Sequence, residues 1–251
     1  LLLASSVLLF GLLVACTAQQ DAGTAVPDNT GNPESTQNNS NHSIAEKQNS
    51  SRDIASTYPK TDLTDSMTID SVHEDPSIRA EQKTDQGTLL MIANGKEERG
   101  HLNVSSTQGQ EGDLTFQSNY SIVYKYDGQN KVLLDLPAYL FVRPSDQNIT
   151  FEKVGFKDAE VFVLTPQYQT GHGLEGFVFA IDKQNGEAFP LEIVKKDHVS
   201  KTLLYSETAP TLRIEDEGLV IHPPVGAGTP EEDMKDVIYK LDLSRKQLIA
   251  E

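Results

Sequence analysis

The densest patch of residues able to do chemistry is Gln167-Tyr168-Gln169-Thr170-Gly171-His172-Gly173-Leu174-Glu175. His172 stands between two glycines in a polar stretch that joins two apolar runs, a setting expected to expose its imidazole. With Glu175 as its partner it could shuttle a proton or ligate a metal. One His and one carboxylate make neither a zinc site of three or four ligands nor a triad. The pattern therefore points first to a binding loop, with Tyr168 as the outward aromatic contact. A second patch runs from His222 through Pro223, Pro224 and Thr229 to Glu231, Glu232 and Asp233. Its three carboxylates would suit calcium, but they lack the alternating spacing of a calcium loop. Thr229, Pro230 and Glu232 are spaced as the N-cap, first-turn proline and capping box of a short helical turn. His222 and His172 follow strands in successive units, which allows them to face one rim.

Several catalytic signatures are absent from the sequence: Gly-x-Ser-x-Gly, Ser-x-x-Lys, His-Glu-x-x-His and the phosphate-binding Gly-x-x-x-x-Gly-Lys. These are the local patterns that place a nucleophile, a zinc ion or a phosphate. The reading favours a binding protein with no cofactor. An envelope hydrolase using His172 with nearby carboxylates is the alternative, and a structural envelope component the third.

Strands and turns must position these loops. Ile122 to Tyr126 and Lys131 to Leu136 form hairpin arms with β-branched and aromatic residues about the Gly-bearing turn 127–130. Further hairpins are expected over 177–194, 212–221 and 237–250, with Gly218 as a positive-φ turn residue, and single strands at 89–93, 138–142 and 160–164. An apolar strand ending in Asp recurs at Val123 to Asp127, Val178 to Asp182 and Ile238 to Asp242, at spacings of 55 and 60 residues. Each is preceded by a polar, Gly-containing loop: 98–113, 166–176 and 223–236. The unit is similar to a propeller blade, but three blades are too few to close a propeller. The expected fold is mainly β, an antiparallel hairpin-rich domain built as a β-sandwich or an incomplete propeller-like stack.

Composition separates that domain from what precedes it. The 251 residues include 37 Asp plus Glu against 21 Lys plus Arg, a net charge of -16, which repels nucleic acid. One Cys excludes an internal disulfide. The hydrophobic fraction of 37% falls below the roughly 45–50% of globular chains, so part of the chain is expected not to fold. That part is read as residues 16–86, rich in Ser, Thr, Asn and Gln, with a short helix conceivable at 65–82 and a β-rich domain over 87–251. A coil of about seventy residues spans roughly 40–50 Å.

Residues 1–15 are uncharged and mostly apolar, too short to span a bilayer core of about 30 Å, and are read as a signal peptide. They end in Leu13-Val14-Ala15-Cys16, which resembles the lipobox of bacterial lipoproteins. The resemblance implies that Cys16 receives diacylglycerol and becomes the new N-terminus, and that residues before Leu1 are missing. It places the domain on the extracytoplasmic face of a cell membrane, and the Asn/Ser/Thr-rich tether favours a Gram-positive-type envelope, where a protein, peptide or cell-wall component could be its partner.

Overall fold

The computed structural model describes residues 54–208 and 212–251. The signal peptide, Cys16 and residues 17–53 of the expected tether lie outside these. Within them the chain is mainly β and antiparallel, in three sheets. The first holds β1 (Met67–His73), β2 (Ile78–Lys83), β3 (Thr88–Ala93), β4 (Glu97–Leu102), β5 (Leu114–Tyr126) and β6 (Gln129–Arg143). The second holds β7 (Phe151–Gly155), β8 (Ala159–Leu164), β9 (Leu174–Asp182) and β10 (Ala188–Pro190). The chain then crosses to the third sheet through β11 (Glu192–Lys195) and β12 (His198–Ser200), and returns to the second as β13 (Thr202–Tyr205). It finishes the third with β14 (Arg213–Glu215), β15 (Gly218–Ile221), β16 (Val237–Asp242) and β17 (Gln247–Ala250).

The sheets stack face to face, and alternation along the middle one shows how. In β8 and β9, Phe162, Leu164, Phe177, Phe179 and Ile181 join a core with Leu89, Met91, Phe116, Ile122 and Phe141 of the first sheet. Val161, Val163, Val178 and Ala180, on the opposite face, join Leu219, Ile221, Tyr239 and Leu248 of the third. All six residues of β8 are buried, as expected of a strand covered on both faces. Fully burying each Phe or Leu of this layer stabilises the fold by about 1.5–3 kcal/mol.

One charged network lies inside the first core. Glu97, with no exposed surface, accepts hydrogen bonds from Arg79 Nε at 2.6 Å, Arg99 Nε at 2.8 Å and the Tyr120 hydroxyl at 2.8 Å. The Arg79 guanidinium lies 4.0 Å from the centroid of the Phe116 ring and also pairs with Asp146. Burial alone would raise the Glu97 carboxyl, but the Arg79 hydrogen bonds and charge, with those of Tyr120 and Arg99, hold it down at about 2.

The expected hairpins form, and β5, β9 and β16, which carry the recurring strand-to-Asp segment, are interior strands of the three sheets. Asp127 and Gly128 both take positive φ between β5 and β6. Four expectations need correction. Residues 65–82 are not helical: a 3-10 turn at Thr64–Ser66 leads into β1 and β2, so strands begin before residue 87. The two do not pair with each other but with β4 and β3. Positive φ in the β14–β15 turn falls on Asp216 and Glu217, whereas Gly218 starts β15, where a Cβ would meet Ile238 Cγ2 at 2.5 Å. The 187–194 arm divides, its first part pairing with β9 and its second with β17. Residues 98–102, assigned to a loop, belong to β4.

Candidate binding rim

Because β5, β9 and β16 are entered from one end of the stack, the connections before them meet there. Residues 103–113, 165–173 and 222–236 supply one loop from each sheet. The middle loop joins the other two. Gln167 donates from Nε2 to the Gln108 carbonyl at 2.6 Å, and its Oε1 accepts the Val142 amide at 2.8 Å. At Gly171, with φ +75°, a Cβ would stand 3.1 Å from that of Thr107; at Gly173, with φ +99°, it would stand 2.7 Å from that of Pro224. The two glycines flanking His172 therefore have a packing reason as well as a conformational one. Behind them, the Ser206 amide donates to the His222 carbonyl at 2.8 Å.

Glu207 holds the middle loop in shape. Its Oε1 accepts the amides of Thr170 at 2.6 Å and Gly171 at 2.7 Å, and the Thr170 hydroxyl at 3.0 Å. Partial burial would raise its carboxyl, yet these donors together keep it below the usual carboxylate range. A cavity of about 290 Å3 opens beside this clasp, lined by His172, Ser206, Glu207, Thr208, Pro224 and Val225 among others. His172 is exposed there. The site offers one free imidazole, hydroxyls and a small apolar wall, which is a contact surface and not an assembled catalytic set.

The candidate residues separate. Tyr168, expected outside, is half-buried against Leu63, Leu102 and Val142, and its hydroxyl donates to Asp113. Glu175 is not bonded to His172; it lies in β9 and accepts the Thr202 hydroxyl at 3.1 Å. His222 Nδ1 is 2.8 Å from Asp236, whose other oxygen accepts from Arg213. Arg213 first and His222 second lower the Asp236 carboxyl. Glu231, Glu232 and Asp233 occupy a 3-10 turn, Glu231–Met234, with no side-chain cap. The Thr229 hydroxyl instead accepts the Gly226 amide at 2.9 Å, so the expected capping box does not form. Among the described residues no group of three or more His, Cys, Asp or Glu could hold a metal ion.

Sequence reasoning did not find Glu207, Asp113 or Asp236, and placed Gln167 in the loop without its bracing role. Glu207 sits between Ser and Thr in a polar run, and nothing in its local spacing announces that it binds backbone amides more than thirty residues away in the chain.

No family model, curated protein or solved structure matches the chain. Among the described residues no helix is long and apolar enough to cross a membrane.

Proposed function

We propose that the chain is a lipid-anchored binding protein of the bacterial cell envelope, which holds a protein, peptide or wall component on the rim of its three-layer β domain. One observation carries the binding half: three loops, one from each sheet, are cross-braced at a single end through Gln167, Gly171 and Gly173. Binding residues commonly lie on loops that a rigid scaffold holds in place. The apolar run ending in Cys16 supports the anchor half. Two acyl chains, at about 0.8 kcal/mol per buried methylene, give far firmer attachment than a single myristoyl chain.

The rim loops contain Glu111, Asp113, Glu231, Glu232, Asp233 and Asp236 against Lys235, and Glu207 stands beside them. That excess favours a cationic partner whose association weakens with salt. The test is crosslinking and pulldown from intact cells with wild type and with His172→Ala plus Val225→Ser. The same partner should be recovered with wild type and lost with the double variant. Equal capture by both would move the interface off the rim. Separately, Cys16→Ala should release the protein from the membrane fraction, and its retention there would sink the anchor.

A further inference from the structure

We infer that the β11–β12 hairpin docks on the anionic headgroups of a bilayer. Residues 195–201 read Lys-Lys-Asp-His-Val-Ser-Lys, a local basic excess in a chain of net charge -16. Most other cations of the domain are engaged: Arg79, Arg99, Lys153, Arg213 and Lys246 in ion pairs, Lys183 and Lys240 on carbonyls. Lys195, Lys196 and Lys201 form no ion pair among the described residues. Three neighbouring ammonium groups left unmatched, in a protein with carboxylates to spare, are available to an external anion.

The hairpin also presents apolar surface beside Lys196 and Lys201. Lys195 pairs with His198, so Lys196 and Asp197 form the exposed turn. Val199 is 53% exposed on the edge strand of the third sheet. It is in register with Val194, which is in register with Ile249. This apolar row lies on the face of the sheet opposite Ile193 and Leu248, which are buried in the second core. Asp197 and Glu192 are nearby acids, with Asp158, Asp242 and Glu251 around Ile249, and Glu192 accepts from Gln247 at 3.0 Å. Lysine stems lie along apolar surface while their ammonium groups reach polar solvent or headgroups. Lys196 and Lys201 beside exposed Val199, with half-buried Val194 and Ile249 behind it, thus match an anionic membrane interface, while Lys195, two residues from Ile193, alternates to the other face. A soluble anionic polymer would satisfy the lysines but leave Val199 without a role.

The β11–β12 turn lies at the same end of the third sheet as loop 222–236, with β17 between β11 and β16, and the contact needs the domain close to a bilayer, as the lipid-anchor reading holds. A tether then raises the local concentration of the surface, so a weak contact is occupied.

The sequence contains no Trp, so Val199→Trp in the full chain gives a single-tryptophan reporter of the hairpin alone, whatever the N-terminal segment does. Adding vesicles of phosphatidylglycerol and phosphatidylcholine should shift its emission to the blue and shield it from acrylamide. Pure phosphatidylcholine vesicles should do neither. The shift should be lost near 1 M salt, where the Debye length is about 3 Å, and in the background of Lys195→Glu, Lys196→Glu and Lys201→Glu. A circular dichroism spectrum unchanged by the substitutions certifies the fold. No shift with anionic vesicles, an equal shift with zwitterionic ones, or a shift with soluble polyphosphate and not with vesicles would each overturn the proposal. Vesicle co-sedimentation of lipidated wild type reads the anchor independently.

Discussion

Glu97 and His172 mark the two extremes of what a charged or titratable side chain does in this domain. Glu97 is ionised in the core because Arg79, Arg99 and Tyr120 surround it. Its folded value near 2 lies below the ordinary 4.5. The unfolded chain therefore binds its proton first, and stability present above about pH 4.5 drains away as pH falls towards 2. Urea denaturation of Glu97→Gln should show a weaker dependence on pH in that window, with a loss of about 3 kcal/mol at neutral pH from breaking a buried pair. His172 is exposed at the cavity, so His172→Ala should leave thermal stability within about 0.5 kcal/mol. Tyr168 was read from the sequence as its outward companion. Packed on Leu63, Leu102 and Val142 and bonded to Asp113, it should instead lose about 1 kcal/mol as Tyr168→Phe and about 3 kcal/mol as Tyr168→Ala, measured by the same denaturation. A loop of Tyr, Gln and Gly looks alike from the sequence whether its aromatic points out or in, because the deciding contact, Asp113, is fifty-five residues away.

Elements were legible where their pairing was local. The β5–β6 arms flank Asp127-Gly128, and the β16–β17 arms are equally close in the chain, so short-range turn chemistry sufficed. β1 and β2 were not legible: Pro76 lies between them, and each pairs with a later strand, β4 or β3. Met67–His73 carries mixed polar and apolar residues that are half-buried or exposed, with no clean alternation to reveal a strand. The rim was visible as three long loops, but their bracing was not, since it depends on the stacking order of whole sheets. That bracing is testable. Glu207→Ala removes the acceptor shared by two amides and a hydroxyl, so hydrogen exchange at Thr170 and Gly171 should accelerate about tenfold or more while β8 and β9 stay protected. Gly173→Ala, strained by its φ and placed against Pro224, should force the middle and third loops apart and destabilise by about 1–3 kcal/mol.

At the scale of the molecule, the middle sheet belongs to both cores, so damage to it should be felt throughout. Phe179→Ala, at a side chain with no exposed surface, is expected to lower stability by about 3–5 kcal/mol in a single transition, followed in parallel by near- and far-ultraviolet circular dichroism. A chain beginning at residue 84 would lack β1, β2 and Arg79, leaving Glu97 buried without its main counter-charge. It should therefore unfold at markedly lower urea than the full chain. The first layer also precedes the other two in the chain, its sheet finished at Arg143 before the second begins at Phe151. A polypeptide synthesised from its N-terminus completes the first sheet while Leu89, Met91, Phe116 and Phe141 still lack the partners that cover them, Phe162 and Phe179. For that interval the nascent chain carries an open apolar face, the kind of surface on which chains stick to one another. The hazard ends only when β8 and β9 arrive, which makes the middle layer a lid on a folding intermediate as well as the centre of the finished domain.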